Sequence, residues 1–213
     1  MKKTLLVLFI ILCGLEFNSY SQVMITAGYD RVFSSGRSFA VYPKNAVFAG
    51  ADYSFRIYRG LAFQCGARLS SASQTTVYSS RPDVHHQFKL DELMVPLLLS
   101  YSMDVSPSLR LGCFVGPEYS GILKHQWKMT DVEAGSDIGG TDLRDHPNYG
   151  LESLYGYAGA FAELRGRFRL TLGSRFGEFM GINKKPNNPN ICSVSLSVSY
   201  IFSFWHKDAT EQF

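Results

Sequence analysis

Cys192-Ser193-Val194-Ser195-Leu196-Ser197-Val198-Ser199-Tyr200-Ile201-Phe202-Ser203-Phe204 decides the fold. Apolar side chains stand at 192, 194, 196, 198, 200, 202 and 204. Serines stand between them at 193, 195, 197 and 199. A period of two separates these sets onto opposite faces of an extended strand, and a period of 3.6 would mix them.

The same alternation recurs upstream. Val47, Ala49, Ala51, Tyr53, Phe55 and Ile57 alternate with Phe48, Gly50, Asp52, Ser54 and Arg56. Leu61 to Leu69 alternates with Gln64, Gly66 and Arg68, and Leu109 to Tyr119 with Arg110, Gly112 and Glu118. Phe168, Leu170, Leu172 and Phe176 alternate with Arg169, Thr171, Gly173 and Arg175. A shorter strand is predicted over 23–30. Segments 93–103 and 154–165 are strands without a clean polar face, so their inside and outside register stays open. Pro96 removes a ladder donor from the first of these and predicts a bulge there.

Eight segments result, mostly near the ~9–11 residues that a tilted membrane strand needs. Their connections alternate strictly. Tyr58-Arg59-Gly60, Asp104 to Ser108, and Gly166 with its flanking arginines are short; Arg31–Asn45, Ser71–Asp91, Gly121–Ser153 and Gly181–Asn190 are long and polar. That is the pattern of an up-and-down transmembrane β-barrel with periplasmic turns and extracellular loops. The fold class is therefore all-β, an eight-stranded antiparallel barrel. The order of the 121–153 loop is left open.

The faces then take roles. Leu, Val, Phe, Tyr, Ala and Cys face lipid, with Tyr29, Tyr53, Tyr119, Tyr200, Phe202 and Phe204 suited to interfacial girdles. Asp52, Arg56, Gln64, Arg68, Arg110, Glu118, Glu163, Arg165, Arg169 and Arg175 face inward. Eight strands enclose little more than their own side chains, so these groups are expected to form a packed ionic plug, with arginine in excess over acid. A narrow ion pathway is the alternative.

The N-terminus reads as a targeting segment. Lys2 and Lys3 precede an unbroken apolar run, Leu5 to Cys13, and Ser19 and Ser21 set up cleavage before Gln22. This is a secretory signal peptide pattern. The run is too short for a helical anchor, and Leu12 ahead of Cys13 argues against a lipid anchor. The predicted division is 1–21 signal peptide, 22–204 barrel domain and 205–213 C-terminal tail. A net charge of +3, spread along the chain, gives no basic patch for nucleic acid. Cys65, Cys113 and Cys192 remain after cleavage, an odd number on the apolar face, and read as small hydrophobes.

Four stretches resemble the outer-membrane β-barrel domain proteins of Gram-negative bacteria, including the PorT-like group. They are the cleavage site followed by Gln22; Leu90-Asp91-Glu92-Leu93-Met94-Val95-Pro96-Leu97-Leu98-Leu99-Ser100-Tyr101; Arg110-Leu111-Gly112-Cys113-Phe114-Val115-Gly116-Pro117-Glu118-Tyr119; and Ser193 to Phe204. The resemblance implies outer-membrane localisation, contact with lipid, and a closing strand read by the barrel-assembly machinery. It implies a structural or surface-interaction role, in some members tied to protein secretion. It carries no shared catalytic set. The tail from Trp205 to Phe213 departs from the family's usual aromatic end.

No catalytic, cofactor or metal residues are assigned. His85-His86 lacks acidic or thiol partners at ligand spacing. His125 and His146 bracket a loop holding Asp131, Glu133, Asp137, Asp142 and Asp145, but without the oxygen spacing of a calcium loop. No G-x-S-x-G elbow is present, and no Lys-Ser/Thr follows Gly139-Gly140. The leading expectation is a non-enzymatic barrel acting through a protein partner at its extracellular loops. The alternatives are a lipid-modifying hydrolase, and a soluble periplasmic carrier of a hydrophobic ligand, whose apolar face would have to point inward.

Overall fold

The computed structural model describes residues 21–35, 45–78, 81–142, 152–180 and 190–203. Nine strands appear in it: β1 (Ser21–Ser35), β2 (Asn45–Tyr58), β3 (Leu61–Tyr78), β4 (Arg81–Ser106), β5 (Leu109–Asp131), β6 (Ser136–Asp142), β7 (Glu152–Leu164), β8 (Phe168–Met180) and β9 (Asn190–Ser203). Each pairs antiparallel with its neighbour. The ring β1-β2-β3-β4-β5-β7-β8-β9 closes through β1 and β9, with Val23 opposite Phe202. The chain is an eight-stranded up-and-down barrel. β6 is an addition that pairs only with the far end of β5.

Closure leaves no free edge around the barrel, so every wall strand finds its backbone partners within the protein. The exterior is apolar. Ile25, Val47, Leu69, Leu99, Val115, Leu172, Leu196 and Val198 are all exposed there, more apolar surface than a protein in water displays on one continuous belt. Ala158, Ala160 and Ala162 of β7 share it by register with Val115, Cys113 and Leu111. This is the surface of a membrane-spanning barrel. Aromatic rings gather at the turn end of the belt. Phe55 meets Phe63 at 5.3 Å, and Tyr200 meets Phe168 at 5.4 Å and Phe202 at 4.7 Å. Tyr29 and Phe33 stand exposed toward the other end.

Register in the two ambiguous segments is now defined. In β4, Met94, Leu98 and Ser100 point inward, and Leu97, Leu99, Tyr101 and Met103 point outward. In β7, Tyr155, Tyr157, Phe161 and Glu163 point inward. Pro96 does not bulge. It is fully buried, and the pairs on either side, Val95 with Tyr119 and Leu99 with Val115, keep one register. Pro96 itself stays in register opposite Glu118, so its missing N–H brings no change of alignment. The register shift lies instead at Asp91/Glu92, where β5 carries Leu123 as an extra residue.

Two long loops expected from the sequence contain strand. Most of 71–91 belongs to the β3–β4 hairpin, and 121–153 holds the end of β5 and all of β6. Beyond Ala72, where β2 stops pairing with β3, the ends of β3, β4 and β5 continue with β6 as a four-stranded sheet. It rises out of the barrel like a paddle. The signal segment, His146, Asp145, Phe204 and the 205–213 tail lie outside the described residues.

Candidate functional site

Three regions could carry function: the lumen, its mouth at the short-turn end, and the paddle. The lumen is filled. Its outer half centres on Arg175 of β8, which donates to Glu118 of β5 at 2.8 Å and lies 3.9 Å from Glu92 and 4.0 Å from Asp30. One layer down, Arg68 donates both Nε and Nη2 to the two oxygens of Asp52 at 3.1 Å, the bidentate geometry that suits a guanidinium. Thr26 donates to Asp52 at 2.7 Å and exchanges a hydrogen bond with Ser199 at 2.9 Å. Below that, Arg169 donates to Glu163, and to Gln64 at 3.0 Å, while stacking over Phe161 at 4.2 Å. Arg68 also faces the rings of Phe48 and Tyr157.

These pairs work because the wall lets them approach. Gly66 faces Asp52 across the β2–β3 ladder, and a Cβ there would fall 2.9 Å from the Asp52 Cγ. Leu98, Phe114, Tyr157 and Phe161 fill the space between the ionic layers. The void left at the centre is about 10 Å³, room for roughly one water.

Of the ten inward residues predicted, Asp52, Gln64, Arg68, Glu118, Glu163, Arg169 and Arg175 are buried in the lumen. Arg56 and Arg110 are half-buried toward the mouth, and Arg165 is exposed in the β7–β8 turn. The expected charge balance is reversed. Asp30 and Glu92 also point inward, so five acids meet Arg68, Arg169 and Arg175 in the deep interior. The surplus arginines collect at the mouth. Part of this filling, Leu98 and the rings of Tyr157 and Phe161, was hidden in 93–103 and 154–165, the segments with no clean alternation.

The mouth is a vestibule of about 400 Å³. Arg56, Arg110, Arg165, Arg167 and Arg169 line it together with Glu163. Arg110 donates to Asp104 at 2.8 Å and pairs with Glu163 at 3.6 Å. The β7–β8 turn that carries Arg165 and Arg167 is locked to both neighbours: Arg165 N–H donates to the Ser108 carbonyl at 2.8 Å, and Ile201 N–H to the Arg167 carbonyl at 2.7 Å.

In the paddle, His86 and Trp127 stack with centroids 5.9 Å apart, and the indole N–H donates to His86 Nδ1 at 3.2 Å. His85 and His86 occupy alternate faces of β4 by register. His125 is buried opposite Leu90. The acidic residues of this region are building parts. Asp131 accepts from the Glu133 and Ala134 N–H groups and so caps the β5–β6 turn. Asp137 accepts from Thr130 at 3.1 Å and pairs with Lys128 at 3.7 Å. Among the described residues no three His, Cys, Asp or Glu side chains gather closely enough to hold a metal ion. Val132 and Ile138 are half-exposed around the turn.

No protein-family model matches the chain, and no curated protein matches it. Solved structures do. The crystal structure of Ail, the attachment invasion locus protein of Yersinia pestis, in complex with the heparin analogue sucrose octasulfate is similar at 13% identity over 86% of this chain and 99% of that one, with a TM-score of 0.45. Neisserial surface protein A is similar at 15% identity over 86% and 97%, TM-score 0.48. The N-terminal β-barrel domain of Pseudomonas aeruginosa OprF is similar at 13% identity over 85% and 97%, TM-score 0.37. These are likenesses of barrel architecture at low identity, an architecture that the strand pairing of this chain establishes by itself.

Proposed function

We propose that this chain is an exported, non-conducting, non-enzymatic outer-membrane barrel that presents the paddle outside the cell to a protein partner. One observation carries the reading: the apolar face changes sides at the base of the paddle. Within the barrel, β4 turns Leu93, Val95, Leu97, Leu99, Tyr101, Met103 and Val105 outward. Above it, Val84, Phe88 and Leu90 are buried on the inner face, and Asp83, Gln87 and Lys89 stand outside. The outer face passes from lipid into water along one strand. A carrier of a hydrophobic ligand would need the reverse arrangement, with an apolar and open lumen.

In this reading residues 1–21 are removed as a signal peptide, 22–204 form the barrel, and 205–213 are a tail. The β9 end is then read by the barrel-assembly machinery. Rigid scaffolds commonly carry their recognition surfaces on such projections, and Val132 and Ile138 give the paddle an apolar tip suited to a protein contact. A role accessory to protein secretion fits the same surface.

Fractionation tests the localisation: the protein belongs in outer membranes, with gel mobility that shifts on boiling. A soluble, unshifted protein overturns it. Planar-bilayer recording tests the plug, and steady single-channel steps from the wild type would refute it. Lipid composition, compared between cells with and without the protein, tests the hydrolase alternative. A change that depends on His125 or His146 would establish that alternative.

A further inference from the structure

We propose that the vestibule at the short-turn end is a binding site for a phosphate-bearing anion. Five guanidiniums converge on about 400 Å³ of space. The acids within reach are Glu163, which Arg169 and Arg110 share, and Asp104, which Arg110 holds at 2.8 Å. Two carboxylates facing five arginines leave the cup with a net positive charge. The ionic layer of Arg169, Glu163 and Gln64 closes it at the inner end, so an anion entering it stops there.

A second, independent feature points the same way. The β7–β8 turn has Arg165 at φ 51° and Gly166 at φ 61°, with Arg167 N–H donating to the Leu164 carbonyl at 3.0 Å. Both central residues of this β-turn are left-handed, a geometry that favours Asn-Gly, within a three-residue connection that sets Leu164 opposite Phe168. An arginine there carries a backbone cost that an asparagine would avoid. The cost is coherent if the side chain has work at the rim, since strain is retained where a site uses it. Arg167 follows on the same turn, and the turn is tied to β5 and β9, so the rim is held in place before a ligand arrives.

Guanidinium forks match phosphate oxygens, and several of them around one cavity recognise phosphate better than chloride or a lone carboxylate. The source is either a small soluble phosphate compound or the headgroup of an anionic phospholipid at the adjoining membrane surface. The proposal does not depend on which side of the membrane the turns face.

The test uses the full barrel purified in zwitterionic detergent. Pyrophosphate is titrated calorimetrically at about 0.15 M salt, where diffuse surface attraction is screened. In parallel, nanodiscs of phosphatidylglycerol or of phosphatidylcholine are compared by native mass spectrometry for retained lipid. The expected result is saturable binding in one arm, and that arm identifies the source. The Arg165→Asn, Arg167→Gln double variant keeps a favourable turn, so its boiling transition should match the wild type while binding weakens at least about tenfold, a loss of about 1.4 kcal/mol. Arg167→Lys alone should recover only part of it. Binding in neither arm overturns the proposal, as does a double variant that binds like the wild type.

Discussion

Replacing Arg175 by Met should unmask the carboxylates that it holds apart. The side chain is buried and lies among Glu118, Glu92 and Asp30, all in the outer half of the lumen. Methionine keeps most of the volume, so the change is chiefly the loss of one positive charge. Three acids then face one another in a space without room for bulk water. Breaking a buried pair by removing one partner costs about 3–5 kcal/mol. At about 2–4 °C per kcal/mol for a chain of this size, the barrel should lose roughly 6–20 °C. The assay is the temperature at which the compact gel band converts to the unfolded one, supported by urea unfolding in lipid vesicles. Adding Glu118→Gln to the variant should restore part of the loss at neutral pH. A variant within about 1 °C of the wild type, and unchanged when Glu118→Gln is added, would refute the reasoning: those carboxylates would then be hydrated, and the plug would be wet.

Three further outcomes follow from the geometry. Leu196→Arg places a charge on the lipid face midway along β9, and should cost about 2–4 kcal/mol in vesicle unfolding. Gly66→Ala drives a methyl to 2.8 Å from the Ala51 carbonyl oxygen and against the Asp52 carboxylate, and should destabilise by about 1–3 kcal/mol in the same assay, since the Asp52–Arg68 pair must shift to admit it. Trp127→Ala removes the ring stacked on His86 and its N–H bond. Limited proteolysis should then cut within 120–142 while the barrel's boiling transition stays in place.

The wall was legible in the sequence because its two faces meet different media. Val194, Leu196 and Val198 touch lipid while Ser193, Ser195 and Ser197 touch a crowded lumen, and no other arrangement satisfies both sets. Charge on the inner face was legible too, since Asp52, Arg68, Glu118 and Arg175 interrupt apolar stretches at even spacing. Their pairing was not, because partners such as Arg175 and Asp30 stand 145 positions apart, and only barrel closure brings them together. The direction of the charge imbalance was misjudged for a related reason. Asp30 closes the short first strand, 23–30, and Glu92 falls between the loop 71–91 and the strand 93–103, so neither was counted on the inner face.

The paddle was missed although part of its signal was present. Val84, His86, Phe88 and Leu90 alternate with Asp83, His85, Gln87 and Lys89; further on, His125, Trp127 and Met129 alternate with Lys124, Gln126 and Lys128. Two physical facts hid this. The extra residue Leu123 shifts the phase of β5, so an alternation counted upward from Leu109 falls out of step at Ile122. The meaning of the alternation also inverts. Below the boundary the apolar set points out to lipid; above it the apolar set points in and polar residues take the outside. A pattern that reverses sign looks like its own disappearance when only one sign is sought. The reversal is itself informative, because it locates where lipid ends. On β4 the outward residues run Asp83, His85, Gln87, Lys89 and Asp91, then Leu93, Val95 and Leu97, so the boundary lies between Asp91 and Leu93. On β3 it lies between Leu69 and Ser71, and Ser71 donates to Asp91 at 2.6 Å. Two neighbouring strands thus place the edge of the membrane at the same height, and a polar bond between them marks it.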